Sequence, residues 1–587
     1  MAGGFGGPTD GEEFEAKITP IVVISCILAA SGGLMFGYDI GISGGVTSMP
    51  QFLREFFPVV YKRQQIPGLE SNYCKYDNQG LQLFTSSLYI AALIATFFAS
   101  YTTRVFGRKM SMLIAGIFFI VGTILNAAAQ NLIMLIVGRL LLGCGVGFAN
   151  QAVPLFLSEV APTRIRGALN LLFQLMCTIG ILVANLINYG TAKIEGGYGW
   201  RISLGLAGIP SLLLTFGALI VTDTPNSLIQ RGKLEEGKKV LKRIRGIDNV
   251  DPEFLEILEA SRAAKEVQHP FRNLFKRRNR PQLIITVFYR SLIISQFFFR
   301  IGSTDHHSLI ACLARKLSQI LTLLICVWSC CLLQFFQQFT GINSVNFYAP
   351  VLFQTLGFKH DASLYSSVIT GGIMVLGAIV SIFLVDRAGR RMLLLEGGIQ
   401  MFISHVIIAV ILGWKLKDQS NDLDKGMGIL VVVIICSFVG SFGWSWGPLC
   451  WLVASEIFPL EARSAGQSVT VCINMLFTFV IAQAFLSMLC HFRFGIFLFF
   501  AAWCLIMTVF VYFLLPETKG VPIEEMSDVV WRQHWFWKRY MDDSEDEPKE
   551  KGRKGIRICK DGYTSLEMFG KDALFGKGDL DSICNTV

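Results

Sequence analysis

Ser158-Glu159-Val160-Ala161-Pro162-Thr163-Arg164-Ile165-Arg166 and Ser455-Glu456-Ile457-Phe458-Pro459-Leu460-Glu461-Ala462-Arg463 share the pattern Ser-Glu-x-x-Pro-x-x-x-Arg, once in each half of the chain. A second pattern precedes each copy: Arg104, Gly107, Arg108 and Lys109, then Arg387, Gly389, Arg390 and Arg391. Every copy sits in a short polar gap between long apolar runs. Paired gaps in paired halves imply a duplicated helical bundle, and a membrane protein built of two like halves is most often a transporter.

Composition agrees. The 587 residues are 52% hydrophobic and 16% charged, with mean hydropathy +0.52. Soluble domains carry about a quarter charged residues and lack repeated apolar runs of ~20 residues. The net charge of +9 does not point to nucleic acid, because most Lys and Arg crowd into alternate loops, as on cytosolic faces. Most of the fifteen cysteines lie in apolar stretches, where a small buried hydrophobe is the ordinary role. Cys326, Cys330 and Cys331 lack a His or acidic partner nearby, so no metal site is expected. No cleavable signal is evident; the run Ile18 to Phe36 is long enough to span and stay.

Runs of spanning length fall near 18–38, 82–100, 111–130, 132–152, 170–190 and 202–221, then near 335–355, 365–385, 392–414, 427–453, 466–489 and 494–515. Each can cross a hydrocarbon core of ~30 Å at 1.5 Å per residue. This predicts an all-α membrane protein of twelve spans in two six-helix halves. Residues 1–17 form a cytosolic N-terminus, 18–222 the first half with an extracellular lid loop at about 40–81, and 317–516 the second half. Between them lies a cytosolic linker, 223–316, whose stretch from Asp223 to Pro281 reads as short amphipathic helices. Basic residues cluster on that side, including Arg164 and Arg166, while Ala128–Leu132 has none, so both termini are expected inside. Residues 517–587 read as a cytosolic tail, polar and largely disordered.

One region departs from the scheme. From about Phe288 to Gln334 the chain runs through Arg290, Arg300, His306, His307, Arg315 and Lys316 before a new apolar run. Either 288–316 extends the linker and Ile320–Phe336 rebuilds the start of helix seven, or the segment is a foreign insertion that breaks the bundle.

Two sets of residues within the spans carry chemistry. Asp39, in Gly37-Tyr38-Asp39-Ile40-Gly41 at the end of the first span, is an ionisable group at membrane depth, which is costly and usually functional. Its best partner is Arg139 in the fourth run. Paired, the carboxylate is held ionised; parted, it takes up a proton, which is what coupling to a proton gradient requires. A static buried ion pair is the alternative. Gln174, Gln337, Gln338, Asn343, Asn474 and Thr478 are neutral donors and acceptors suited to a polyol, with Phe36 and Trp451 as flat faces for a sugar ring. Interhelical hydrogen bonding is the commoner role of a lone intramembrane amide. Adjacent Gln337 and Gln338, followed by Thr340-Gly341-Ile342-Asn343, are harder to dismiss, because the glycine permits a broken helix whose freed backbone lines a cavity. Glu159 and Glu456 are expected to pair with arginines of the Gly-Arg loops (Arg104, Arg108, Arg166; Arg387, Arg390, Arg463), as a gate that parts when the inside opens.

Together these motifs resemble the sugar porters of the major facilitator superfamily, and within them the plant monosaccharide–proton symporters. The resemblance covers about Lys17 to Trp537 apart from 288–334. It rests on Gly37–Gly41, Arg104-x-x-Gly107-Arg108, Pro154-x-x-x-Ser158-Glu159, Gln337-Gln338-x-Thr340-Gly341-Ile342-Asn343, Gly447-Pro448-Leu449-x-Trp451 and Pro516-Glu517-Thr518-Lys519-Gly520, with Asp223-Thr224-Pro225-Asn226-Ser227 closing the first half. It implies the major facilitator fold, no cofactor, and a site for a glucose-like hexose between the halves. Gln174 and Ile181 would contribute from the first half; Gln337, Gln338, Asn343, Gly447, Trp451, Asn474 and Thr478 from the second. Phe36 would link the sugar to the Asp39–Arg139 proton pair. Facilitators without proton coupling carry Asn in place of the acid, so Asp39 favours symport. Cys74 and Cys490 match a family disulfide tying the lid to the second half. Met374 stands where the family usually has a sugar-binding Asn, and Cys450 and Ala454 replace a family Gly and Pro beside Trp451.

The expected protein is therefore a multi-pass plasma-membrane symporter taking up a monosaccharide with a proton by alternating access. It is not expected to be an enzyme, since no nucleophile–base pair or metal cluster lies in the spans. Two other readings stay open: a non-transporting sugar sensor acting through the tail, and an inactive or altered isoform caused by the 288–334 insertion.

Overall fold

Thr19 and Pro20 set the first helix. Thr19 Oγ1 accepts the Val22 N–H and Pro20 fixes the first helical φ, so α1 starts at Pro20 and runs to Ser48. The computed structural model describes residues 19–65, 72–161, 166–194, 196–266, 329, 331–355, 360–415, 425–457, 463–519, 530–531 and 533–537. Residues 1–543 form one compact unit and 544–587 a second, the latter wholly outside the described residues. So are 1–17, Cys326, Cys330 and all of 288–328.

Helix α1 corrects the expected span of 18–38 and moves Asp39 from its end into its interior. Counting apolar residues stops the span at the first polar cluster. In the folded bundle Asp39, Ser43, Thr47 and Ser48 are all buried, and the three hydroxyls bond back to carbonyls of Asp39, Ser43 and Gly45. A helix interior satisfies such hydroxyls without water, so the helix continues. What was expected as a loop from about 40 begins after Ser48 and is itself helical in part: α2 (Pro50–Phe56), α3 (Pro58–Gln65) and a single 3₁₀ turn at Asn72–Cys74.

The first half continues with α4 (Gln79–Val105), α5 (Arg108–Ala127), α6 (Leu132–Val160), α7 (Arg166–Thr191), and α8 (Gly199–Gly205) with α9 (Gly208–Ile220) as one broken span. Asn78 and Asn131 cap α4 and α6 through side-chain oxygens. Three short helices follow, α10 (Pro225–Gln230), α11 (Leu234–Arg245) and α12 (Asp251–Glu266). Arg245 ties them to the bundle, pairing with Glu253 at 2.6 Å and donating to Val160 O at 3.0 Å.

The second half comprises α13 (331–339), α14 (Ile342–Thr355), α15 (His360–Ala388), α16 (Arg390–Lys415), α17 (Lys425–Trp444), α18 (Trp446–Ile457), α19 (Arg463–Phe492) and α20 (Gly495–Leu514). Among the described residues no strand occurs. Among the described residues eleven spans are long and apolar enough to cross a membrane, with α8–α9 and α17–α18 each counted as one. Helices α13 and α14 together supply the twelfth. They are broken at Thr340–Gly341, where Gly341 has φ +83°, a conformation that side chains beyond glycine rarely adopt.

Close packing follows from small residues. Gly33, Gly37 and Gly41 on α1 face backbone of α7, and Gly180 on α7 faces backbone of α1. The halves meet along α4–α19 and α7–α15, with α1 against α14. Helix α4 starts five residues after Cys74 and ends three before Arg108, so the Cys74 and Arg108 motifs mark opposite ends of the bundle.

Candidate functional site: a buried ion pair beside an amide cluster

Asp39 and Ser43 lie four residues apart, on one face of α1. Arg139 of α6 answers both, its NH1 meeting Asp39 Oδ1 at 2.6 Å and its NH2 donating to Ser43 Oγ at 2.7 Å. Its Nε donates to Phe84 O at 3.1 Å, and its guanidinium lies 4.7 Å from the Phe84 ring centroid. Both ionic side chains are at most 1% exposed. Asp39 Oδ2 is buried and has no hydrogen-bond partner among the described residues. Phe36, one turn earlier on α1, is also buried. Ser43 was missed from the sequence, although its spacing from Asp39 could have flagged it.

The second set converges around the break in helix seven. Gln337 Nε2 donates to Trp446 O at 2.9 Å and Gly447 O at 3.0 Å. Asn474 Nδ2 donates to Gln337 Oε1 at 2.9 Å and Gln334 Oε1 at 2.7 Å. Gln338 Oε1 accepts from Thr478 Oγ1 at 2.8 Å and from Asn343 Nδ2 across the break. Five expected residues thus form one network, and Gly447 joins it through its carbonyl. Trp451, half-buried, meets the Phe173 ring of the first half edge-on at 6.5 Å between centroids. Gln174, half-buried, and Ile181, buried, stand on α7 and make no hydrogen bond to this network. Met374, Cys450 and Ala454 are all buried.

Two members escaped the sequence reading. Gln334 fell in the region treated as atypical. His405, a lone His within an apolar run, donates from Nε2 to Thr340 O at 2.9 Å. It satisfies a carbonyl freed by the break, a requirement that exists only once the helix is broken.

At the opposite end from Cys74, Arg108 NH2 meets Glu159 Oε1 at 2.7 Å, and Arg390 NH2 meets Glu456 Oε1 at 2.8 Å. The other Glu159 oxygen accepts Thr224 Oγ1 at 2.5 Å, and that of Glu456 accepts Thr518 Oγ1 at 2.8 Å. Asp223 and Glu517 accept backbone N–H groups at the first residues of α5 and α16, where carboxylates suit the positive helix end. The duplication thus extends to Asp223-Thr224 and Glu517-Thr518, which the sequence showed as two unrelated motifs. Each clamp closes within its own half. Arg104 and Arg387 are exposed and pair with neither Glu, while the side chains of Arg166 and Arg463 lie outside the described residues. Between the halves at this end, Asn170 Nδ2 donates to Ser455 Oγ at 2.8 Å.

At the other end the Cys74 and Cys490 sulfurs are bonded, joining positions 416 residues apart. Around them α4 and α19 share a polar seam. Ser487 Oγ donates to Asp77 Oδ1 at 2.7 Å, and Ser86 Oγ to Gln483 Oε1 at 2.5 Å. Cys490→Ser is expected to destabilise the protein by about 2–5 kcal/mol, because the crosslink restrains a long loop of the unfolded chain. Thermal melting of the purified protein, with and without reductant, checks this: reductant should lower the wild-type midpoint and leave the variant unmoved.

Comparison with known proteins follows the same outline. The model of the family described as "Sugar (and other) transporter" matches residues 25–299 and 303–530, which takes in most of 288–316. Sugar transport protein 13 of Arabidopsis thaliana is 66% identical over 554 residues, covering 94% of this chain and 97% of its own. Sugar transport protein MST4 of Oryza sativa subsp. japonica is 67% identical over 545 residues, covering 93% and 97%. Among solved structures, the proton:xylose symporter XylE bound to 6-bromo-6-deoxy-D-glucose aligns with TM-score 0.65 at 24% identity, covering 87% of this chain and 99% of that one. That likeness concerns the fold. The chain belongs to the sugar (and other) transporter family, among the plant sugar transport proteins of the major facilitator superfamily.

Proposed function

We propose that this protein carries a monosaccharide, a glucose-like hexose, together with a proton by alternating access. The observation that carries the proposal is the Asp39–Arg139 pair. It is a fully buried carboxylate with one oxygen held by a guanidinium and the other, Oδ2, without a partner among the described residues. An acceptor in that position is where a proton goes when the arginine withdraws. A pair serving stability alone is poorly explained, since well-packed apolar residues usually do as well. The amide network supports a neutral polyol: amides and hydroxyls that bond one another can exchange those partners for sugar hydroxyls without a change of charge. The names of the two relatives reported above, both sugar transport proteins, agree.

Membrane and orientation belong to the same proposal. The protein sits in the plasma membrane with both termini cytosolic, the Arg108 and Arg390 clamps inside and the disulfide outside. Supporting this, the basic helix α11 and the Gly-Arg loops share one end, and a disulfide suits an oxidising exterior. The clamps, each closed within its own half, tighten the inner ends of the helices into two rigid bodies that rock against one another at the inner gate.

Labelled-hexose uptake into transport-deficient cells, at several external pH values and with an uncoupler, tests the reading. Accumulation should rise as external pH falls below internal pH and collapse with the uncoupler. Uptake indifferent to the pH difference removes the proton from the scheme, and no sugar flux removes the substrate.

A further inference from the structure

Glu396 stands apart from everything above. It is exposed on the outer surface of α16, about 9 Å along the helix from Arg390 at 1.5 Å per residue. That places a carboxyl group on the face of the bundle that meets lipid. Among the described residues it has no ion-pair partner, and its hydrogen bond there is from Trp444 Nε1 at 2.7 Å. An ionisable group at such a place is costly unless something else meets it.

It opens into a crevice of about 870 Å³ between α16, α17 and α20. Ile399, Ile403, Ile407, Val433 and Val509 form its walls, with Tyr512 near the end of α20. Apart from the Tyr512 hydroxyl at one end, the other polar side chains lining it bond within the protein: Gln400 bonds Ser437 at 2.9 Å, Ser404 bonds Gln400 O at 2.9 Å, and Thr508 bonds Cys504 O at 2.7 Å. No Lys or Arg lines it. From Glu396 to Ile407 the crevice follows α16 for about 16 Å.

From this we infer a binding site for a membrane sterol, its hydroxyl donating to Glu396 and its fused rings lying along the isoleucine wall. The site asks for one small hydrogen-bond donor followed by a long rigid hydrocarbon. A phosphate headgroup would find no cation among the lining residues, and Arg391, beside the Tyr512 end, is already engaged, its NH2 donating to Tyr512 O at 2.6 Å and its guanidinium lying 5.8 Å from the Tyr512 ring centroid. β-Branched side chains, stiff at χ1, give a wall that a planar ring system covers without ordering flexible groups. The site lies wholly within the second half and is independent of the sugar reading.

The test uses the full-length protein in lipid nanodiscs with a photoreactive sterol, and in parallel a photoreactive diacyl phosphatidylcholine. Sterol label should map to peptides containing residues 392–407 and 508–513. Glu396→Leu, which removes the acceptor, should lower that label by about fivefold, the worth of roughly one hydrogen bond, and Ile403→Trp, which fills the crevice, should lower it by blocking entry. Val137→Trp, at an exposed position on the first half, should leave it unchanged. Sterol label that is indifferent to both crevice variants overturns the proposal, as does equal labelling of the crevice by the phospholipid probe.

Discussion

Asp39→Asn is expected to abolish accumulation of sugar against its gradient while leaving sugar exchange in place. Asparagine keeps an oxygen for Arg139 NH1 and cannot carry the proton. Arg139 retains Ser43 Oγ, Phe84 O and the Phe84 ring, so the guanidinium does not lose all its partners. Removing one member of a buried pair costs at most about 3–5 kcal/mol, and surface abundance must therefore be measured beside flux. The diagnostic result is a split. Equilibrative counterflow persists and becomes flat with pH, whereas uphill uptake disappears. The wild type, by contrast, is expected to show uptake falling as external pH rises, because fewer Asp39 carboxylates would load a proton from outside. An Asp39→Asn protein that still concentrates sugar shows that the proton travels elsewhere.

Gly37→Ala is expected to prevent folding. A Cβ there falls 1.8 Å from Cys177 O and 2.6 Å from Cys177 C. Both atoms are backbone, so the contact is relieved only by separating α1 from α7, the helix pair that supports Asp39. The destabilisation should reach about 4 kcal/mol or more, the range reserved for core overpacking of this severity. Gly372→Ala on α15 is the matched control. Nothing lies within 4 Å of its Cβ position, and alanine within a helix gains about 0.5–1 kcal/mol over glycine. Surface abundance and melting should separate the two variants sharply. A Gly37→Ala protein that reaches the membrane with an unchanged melting temperature means the α1–α7 packing is looser than described.

How far the site could be read in the chain depended on whether its residues signal locally. The duplicated Ser-Glu and Gly-Arg motifs pointed to two equivalent clamps because each is short and repeated. Asp223 and Glu517 belong to motifs that share no pattern in the sequence, and their equivalence appears only when both reach the first turns of α5 and α16. Arg104 and Arg387 looked like clamp residues by spacing yet stand in solvent-facing positions. Gln334 lies in the atypical 288–334 stretch, where its bond from Asn474 has no local signal, and His405 is an ordinary residue until helix seven breaks at Gly341 and exposes the carbonyl of Thr340. The end of α1 was misplaced for a related reason: Ser43, Thr47 and Ser48 are polar in a list and satisfied in a helix.

Alone, the chain determined twelve apolar stretches in two like sets, a glycine-permitted break in the seventh, an acid at the end of the first and an arginine inside the fourth. These follow from local chemistry: length against membrane thickness, charge against low dielectric, and the backbone freedom of glycine. Tertiary structure alone decided which groups meet, leaving Oδ2 of Asp39 without a partner among the described residues, linking Gln334 to Asn474, closing each clamp inside its own half, and setting Glu396 on a lipid-facing crevice. The reason is that hydrogen bonding and burial are properties of distance between helices, and no single segment of sequence encodes what its neighbour will bring.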